Sequence, residues 1–135
     1  MSRDAFLDTN ILVYAFSTDT RAELASELLA AGCTVGVQGL NEFANVALRK
    51  LGMTHTETVE ALAVIRVLCS HIEPTTLAVH EQALELSGKY KLAWFDAVMV
   101  ATALAADCKT FWSEDLQDGL RVQDRITIRN PFAGG

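Results

Sequence analysis

Short apolar runs alternate with longer stretches of helical periodicity along nearly the whole chain, and few folds accommodate that alternation. Ala5 to Leu7 is apolar and stops at Asp8-Thr9-Asn10, the pattern of a buried strand ending in turn-forming residues. Thr34 to Val37, bracketed by glycines, reads as a second strand, and Ile72-Glu73, stopped by Pro74, as a brief third. Thr110 to Trp112 and Ile126 to Ile128 read as the last strands. Helices set between short buried strands imply an α/β fold with a parallel sheet covered on both faces.

The helical segments carry their own punctuation. Ile11 to Phe16 is expected to make a short helical turn. Thr20 and Glu23 have capping-box spacing and open an Ala/Leu-rich helix ending near Gly32. Asn41 is expected to cap a helix running to about Leu51. Thr54 and Glu57 repeat the capping-box spacing before a helix that carries Val59, Leu62, Ala63, Ile65 and Leu68 towards the core. Thr76 to Ser87 forms the next helix, ended by Gly88, and a strongly apolar helix covers Phe95 to Ala106. No linker, repeat or composition shift divides the chain, so residues 1–135 are expected to form one domain.

Half of the residues are hydrophobic, enough for a substantial core in a chain of this length. No apolar run is long enough to span a bilayer, and because a strand follows almost directly on the first residues no signal peptide is expected. Cys33, Cys69 and Cys108 form no CxxC pair and fit reduced, packed thiols in a cytoplasmic protein. The formal charge of −6 argues against binding nucleic acid through a broad basic face. It does not exclude a nuclease, because acids gathered at a cation site inflate the negative count.

Four acids stand where such a fold brings them together. Asp8 follows the first strand, and Asp115 follows the run Phe111–Trp112. Glu42 and Asp96 lie at the openings of apolar helical segments. In an open parallel sheet, strand C-termini and helix N-termini share one edge, where ligands bind. Carboxylates converging there repel one another unless a cation sits between them, and a divalent ion is the natural candidate. Taken singly, each has a plainer reading: Asp8 as a turn former, Glu42 as a partner of the helix dipole, Asp96 as a cap. Asp96 is the sharpest, being flanked by Trp94, Phe95, Ala97, Val98, Met99 and Val100, where a carboxylate needs a cation or a capped helix terminus. In the loop after Trp112, Asp115 is assigned to the site and Ser113 to a hydrogen bond with a carboxylate or phosphate, whereas Glu114 and Asp118 are read as solvated loop charges.

Other chemistries lack their residues. His55, His71 and His80 have neither HxxxH nor HExxH spacing, and there is no GxGxxG, GxxxxGK[ST] or GxSxG. Trp94, Phe95, Phe111 and Trp112 fit core positions better than a base-stacking set. Arg49, Lys50, Lys89 and Lys91 flank helix ends and are candidates for phosphate contacts.

The stretches "LDTN", "NEF", "FDAVMVATA" and "FWSEDLQDG" followed by "ITIRNPF", in that order across essentially the whole chain, resemble the PIN-domain ribonucleases, and among them the VapC-type toxins of VapBC toxin–antitoxin modules. The resemblance implies an α/β/α sandwich around a parallel sheet of four or five strands. It places the family's acidic quartet on Asp8, Glu42, Asp96 and Asp115, with Ser113 as the small hydroxyl residue before the fourth acid and Asn10 as the polar residue after the first. It further implies a metal-dependent endoribonuclease in which Asp8, Asp96 and Asp115 hold Mg²⁺ or Mn²⁺, while Glu42 holds water or assists its deprotonation. The implied partners are RNA, a VapB-type antitoxin and a second copy of the chain. An antitoxin segment would lie against apolar side chains around Leu24, Leu28, Phe43 and Val46.

Two other classes share parts of this pattern. A Mg²⁺-dependent phosphotransfer domain also places an Asp after its first strand. The phosphatase version needs a second Asp where this chain has Asn10, and a receiver needs a lysine where the chain reads Ile128, Arg129 and Asn130. A catalytically silent PIN-like interaction module would be marked by loss of an acid, and all four are present.

Overall fold

A computed structural model describes residues 4–133. The chain runs β1 (Ala5–Leu7), α1 (Thr9–Ala15), α2 (Ala22–Ala30), β2 (Thr34–Gly36), α3 (Val37–Arg49), α4 (His55–Leu68), β3 (His71–Glu73), α5 (Leu77–Tyr90), α6 (Trp94–Ala105), β4 (Thr110–Trp112), β5 (Arg121–Val122) and β6 (Ile126–Arg129). The strands form one sheet in the order β3-β2-β1-β4-β6-β5. The five expected strands are all parallel, and β5 adds a two-residue antiparallel strand beyond β6 at the edge.

β1 shows how the sheet divides the core. Alternate side chains of a strand point to opposite faces. Phe6 belongs to the cluster that includes α5, α6, β4 and β6, stacking on Phe111 with ring centroids 5.2 Å apart. Its neighbour Leu7 belongs to the other cluster, with Ile11, Leu12, Leu29, Phe43 and Ile65 from α1–α4. The result is an α/β/α sandwich. In α6 every residue from Ala97 to Leu104 is buried, as befits a helix apolar on all sides, and Thr102 satisfies its hydroxyl by donating to the Val98 carbonyl at 2.7 Å.

Several boundaries differ from those the sequence suggests. α3 begins at Val37, four residues before Asn41; Gly36 is its N-cap and provides no side-chain bond, so the start carries no capping signal. Glu42 therefore lies inside α3. Thr20 and Glu23 do not form a capping box, because the N-cap of α2 is Arg21. Thr54 and Glu57 do form one. The core side of α4 is Thr58, Ala61 and Ile65, whereas Val59 and Ala63 are exposed. α5 continues through Gly88 and stops at Lys91, which takes the left-handed conformation at φ 58°. Phe95 is 59% exposed and so is not core, unlike Phe111. All three cysteines are free, and no helix among the described residues is long and apolar enough to cross a membrane.

The topology has a switch point. From β1 the chain moves to β2 and β3 on one side, then crosses to β4 on the other. Beyond the C-termini of two strands that diverge in this way a crevice opens, which is where open α/β sheets bind ligands.

Candidate functional site

Asp8 and Ser113 leave β1 and β4 side by side at that crevice. The β1–β4 pairing ends with Leu7 opposite Trp112, and the Asp8 N–H continues it by donating to the Trp112 carbonyl at 3.0 Å. Asp8 is the N-cap of α1: its Oδ1 accepts from the Thr9 N–H at 2.8 Å. Its Oδ2 accepts from the Ser113 hydroxyl, also at 2.8 Å. Ser113 Oγ in turn accepts from the N–H groups of Asp115 (3.2 Å) and Leu116 (3.3 Å), which uses the full capacity of the hydroxyl.

Asp8 is only 8% exposed. Burial pushes its carboxyl up to about 6; the bonds from Ser113 and Thr9 act against that, and the negative charges of Asp96 and Asp115 add to it. Asp96 sits in the first turn of α6 and is raised by burial and then by Asp115. Glu42, reached from α3, is also raised by burial; Gln38 Nε2, donating at 3.3 Å, opposes this and the Asp96 charge reinforces it. Asp115 is fixed by Asn10, whose side-chain amide donates to Oδ2. Four elements thus bring four carboxylates within reach of one another's fields. Among the described residues none of the four is ion-paired; the salt bridges lie elsewhere.

Among the described residues, no three His, Cys, Asp or Glu side chains are gathered tightly enough to hold a metal ion by themselves. The chemistry of the donors nevertheless fits a hard cation: all are carboxylate oxygens, their charge is uncompensated, and three of the four are pushed towards protonation. Mg²⁺ commonly keeps several waters and takes only a few carboxylates, so a fully protein-built cage is not required.

The remaining acids of the loop have structural partners; Glu114 is not the solvated charge that the sequence suggests, whereas Asp118 is exposed as expected. Glu114 accepts from the Tyr14 hydroxyl at 2.5 Å and from Arg21 Nη1 at 2.7 Å, and these partners hold its carboxyl below the usual range. Asp118 Oδ1 accepts from the Asn130 N–H at 2.9 Å. Tyr14 and Arg21 are missing from the sequence-derived site. Tyr14 lies one helical turn after Asn10, a spacing that puts both on one face of α1 and was the available signal. Arg49 and Lys50 lie about two turns or more beyond Glu42 at the end of α3, not beside the carboxylates.

A family model described as "PIN domain" matches residues 5–121. No curated protein matches the sequence. Similar solved structures include a toxin–antitoxin complex from Klebsiella pneumoniae, with TM-score 0.71 and 23% identity over 95% of this chain and 98% of that one. VapC20 of Mycobacterium tuberculosis, described as a sarcin–ricin loop cleaving toxin, has TM-score 0.64 and 23% identity over 79% of this chain and 86% of its own. VapBC2 from Rickettsia felis, bound to a DNA fragment from their promoter, has TM-score 0.68 and 18% identity over 93% and 97%.

Proposed function

Since the chain belongs to the PIN-domain family, we propose that it is a metal-dependent endoribonuclease acting as the toxin of a toxin–antitoxin pair. The observation that carries this reading is the unneutralised carboxylate set at the switch point, with Asp8 buried and raised to about 6 by burial and by its acidic neighbours. Such a set is poised for a cation and for a reaction that needs one. The similarity to a toxin–antitoxin complex and to a loop-cleaving toxin supports the choice of RNA as substrate and of an antitoxin as partner.

In this reading Asp8, Asp96 and Asp115 hold Mg²⁺ or Mn²⁺. When bound, the cation lowers the pKa of water and offsets the charge that develops on the scissile phosphate. The protein's own groups do the rest. Ser113 and Thr9 fix both oxygens of Asp8, and Asn10 fixes Asp115, so the carboxylates are aimed before substrate arrives. Glu42, lifted towards neutrality, accepts a proton from the attacking water. Single-stranded or looped RNA suits the crevice, because unpaired bases can be splayed away from a backbone held at its mouth.

The partner surface needs revision. Phe43 is fully buried and cannot meet an antitoxin, whereas Leu24 is exposed. A groove between α3 and α4, lined by Leu40, Ala44, Val59, Leu62 and Ala63, is the better seat for an apolar antitoxin segment. A basic residue of that segment would reach the carboxylates, since a guanidinium binds them bidentately. A cytoplasmic homodimer is expected and is testable by light scattering.

The deciding experiment is RNA cleavage by Asp8→Asn and Asp96→Asn proteins whose circular dichroism matches the wild type. Each should lose activity by about a hundredfold or more, and EDTA should abolish that of the wild type. Wild-type cleavage by either variant, under matched metal and salt, refutes the assignment.

A further inference from the structure

Glu114, adjacent to Asp115, has both of its carboxylate oxygens held by donors from other segments. Oε1 takes the Tyr14 hydroxyl from α1 and Oε2 takes Arg21 Nη1 from the N-cap of α2. Arg21 is itself fixed: Nε and Nη2 donate to the two oxygens of Asp19 at 2.8 and 2.7 Å, and its guanidinium lies 4.2 Å over the Tyr14 ring. Tyr14 is fixed in turn by edge-on packing against Phe132, at 5.5 Å between centroids. An isolated surface ion pair contributes little. Here a planar, bidentate arginine stacked on an aromatic ring holds one geometry.

The grip coincides with the site. Asn10 and Tyr14, one turn apart on α1, hold the consecutive acids Asp115 and Glu114. The loop has separate anchors at both ends. The Ser113 N–H donates to the Arg129 carbonyl at 2.9 Å, the Gly119 N–H to the Ile128 carbonyl at 2.7 Å, and Asp118 takes the Asn130 N–H. Releasing Glu114 therefore leaves the sheet, the loop ends and the bonds of Asp115 to Asn10 and Ser113 in place, and removes the ties that steady this segment against α1 and the start of α2.

We propose that Glu114 is a positioning residue: clamped by Tyr14 and Arg21, it holds Asp115 at the crevice and so sets how tightly the carboxylates take a divalent cation. This rests on the reading of the carboxylates as a cation site. Glu114→Gln keeps the shape but removes the negative charge that Arg21 pairs with, leaving neutral hydrogen bonds where charge-assisted ones stood. Tyr14→Phe removes one bond and keeps the ring under Arg21.

The test is calorimetric titration of the full-length metal-free protein with Mn²⁺, beside cleavage assayed across Mn²⁺ concentrations. Glu114→Gln should weaken Mn²⁺ binding about tenfold or more, in line with partners that orient metal ligands, and Tyr14→Phe should weaken it by a smaller factor. The Mn²⁺ needed for half-maximal cleavage should rise in parallel, with kcat at saturating Mn²⁺ within about twofold of wild type. A merely structural role would lower the melting temperature without this split. Asp8→Asn separates the two ideas. If it binds Mn²⁺ like the wild type, the cation site itself is wrong. If it loses Mn²⁺ while Glu114→Gln and Tyr14→Phe bind normally, the positioning role alone is overturned. Should Glu114→Gln fail to fold, Tyr14→Phe decides: wild-type Mn²⁺ affinity there overturns the clamp.

Discussion

Ser113 donates to Asp8 Oδ2 at 2.8 Å, joining the first residue after β1 to the first after β4. The serine is fully buried and also accepts from two loop N–H groups, so one hydroxyl registers both sides of the crevice. Ser113→Ala should cost about 1–3 kcal/mol, since it leaves a buried carboxylate oxygen and two donors unsatisfied. It also removes a bond that lowers the Asp8 pKa, so the acid limb of the pH–activity profile should move to higher pH. An unchanged limb would show that Asp8 ionisation does not control activity.

Asp8 makes stability fall as pH rises. Its folded-state value of about 6 lies above the ordinary 3.8, so between these values the folded chain keeps a proton that the unfolded chain has lost. The penalty is absent below about pH 4, grows through the window, and reaches about 3 kcal/mol above pH 6. Glu42 and Asp96, also raised, push the same way. In EDTA at pH 7.5, Asp8→Asn should melt several degrees above the wild type, and the advantage should vanish near pH 4. Differential scanning fluorimetry across pH 4–8 is sufficient, and equal melting temperatures at pH 7.5 would count against the buried charge.

Divalent cations should reverse that penalty. At about a hundred times Kd, Mn²⁺ should add about 2.7 kcal/mol to wild-type stability at pH 7.5. The increment should shrink at pH 5, where Asp8 is largely protonated, and disappear in Asp8→Asn. A metal-induced shift of equal size in the variant would place the ion elsewhere.

Two glycines give an internal comparison for packing. A Cβ on Gly36 would lie 3.1 Å from Thr102 Cγ2 and 3.4 Å from the Phe6 ring, both fully buried. Gly36→Ala should therefore cost about 1–3 kcal/mol in urea unfolding. On Gly39 the nearest atom, Met99 Cε, is at 3.4 Å, an ordinary contact with the flexible end of a side chain. That position lies inside α3, so Gly39→Ala should be neutral or gain up to about 1 kcal/mol from helix propensity. The reverse order would contradict the close approach of α6 to the start of α3.

What was legible in the sequence followed from local chemistry. The strand ending at Asp8, the capping box at Thr54 and Glu57, and the all-round apolar α6 each announce themselves within a few residues. The start of α3 did not, because Gly36 caps it without a side chain and Val37 is as apolar as the strand before it. The end of α5 was hidden because Gly88 stays helical and a lysine takes the left-handed turn instead. Asp8, Asp96 and Asp115 could be named as neighbours from the α/β alternation, whereas Glu42 was expected at a helix opening and lies inside α3, near enough to feel the Asp96 charge. Glu114 could not be distinguished from a surface charge, because Tyr14 and Arg21 come within reach only when β4 has paired with β1.

That last pairing has a consequence for biosynthesis. β1 takes its neighbour on one side from residues made more than a hundred positions later: Ala5 meets Thr110 and Leu7 meets Trp112. At about 5–20 residues per second, the nascent chain spends seconds with Asp8, Glu42 and then Asp96 already made but no strand to close the crevice. A chain that terminates before Thr110 keeps three of the acids and none of the loop that faces them, and it leaves an open strand edge of the kind that invites aggregation. Until Thr110 and the residues after it are made, the proposed nuclease thus lacks the strand and loop that bring Asp115 to the crevice, a delay written into strand order and independent of any inhibitor.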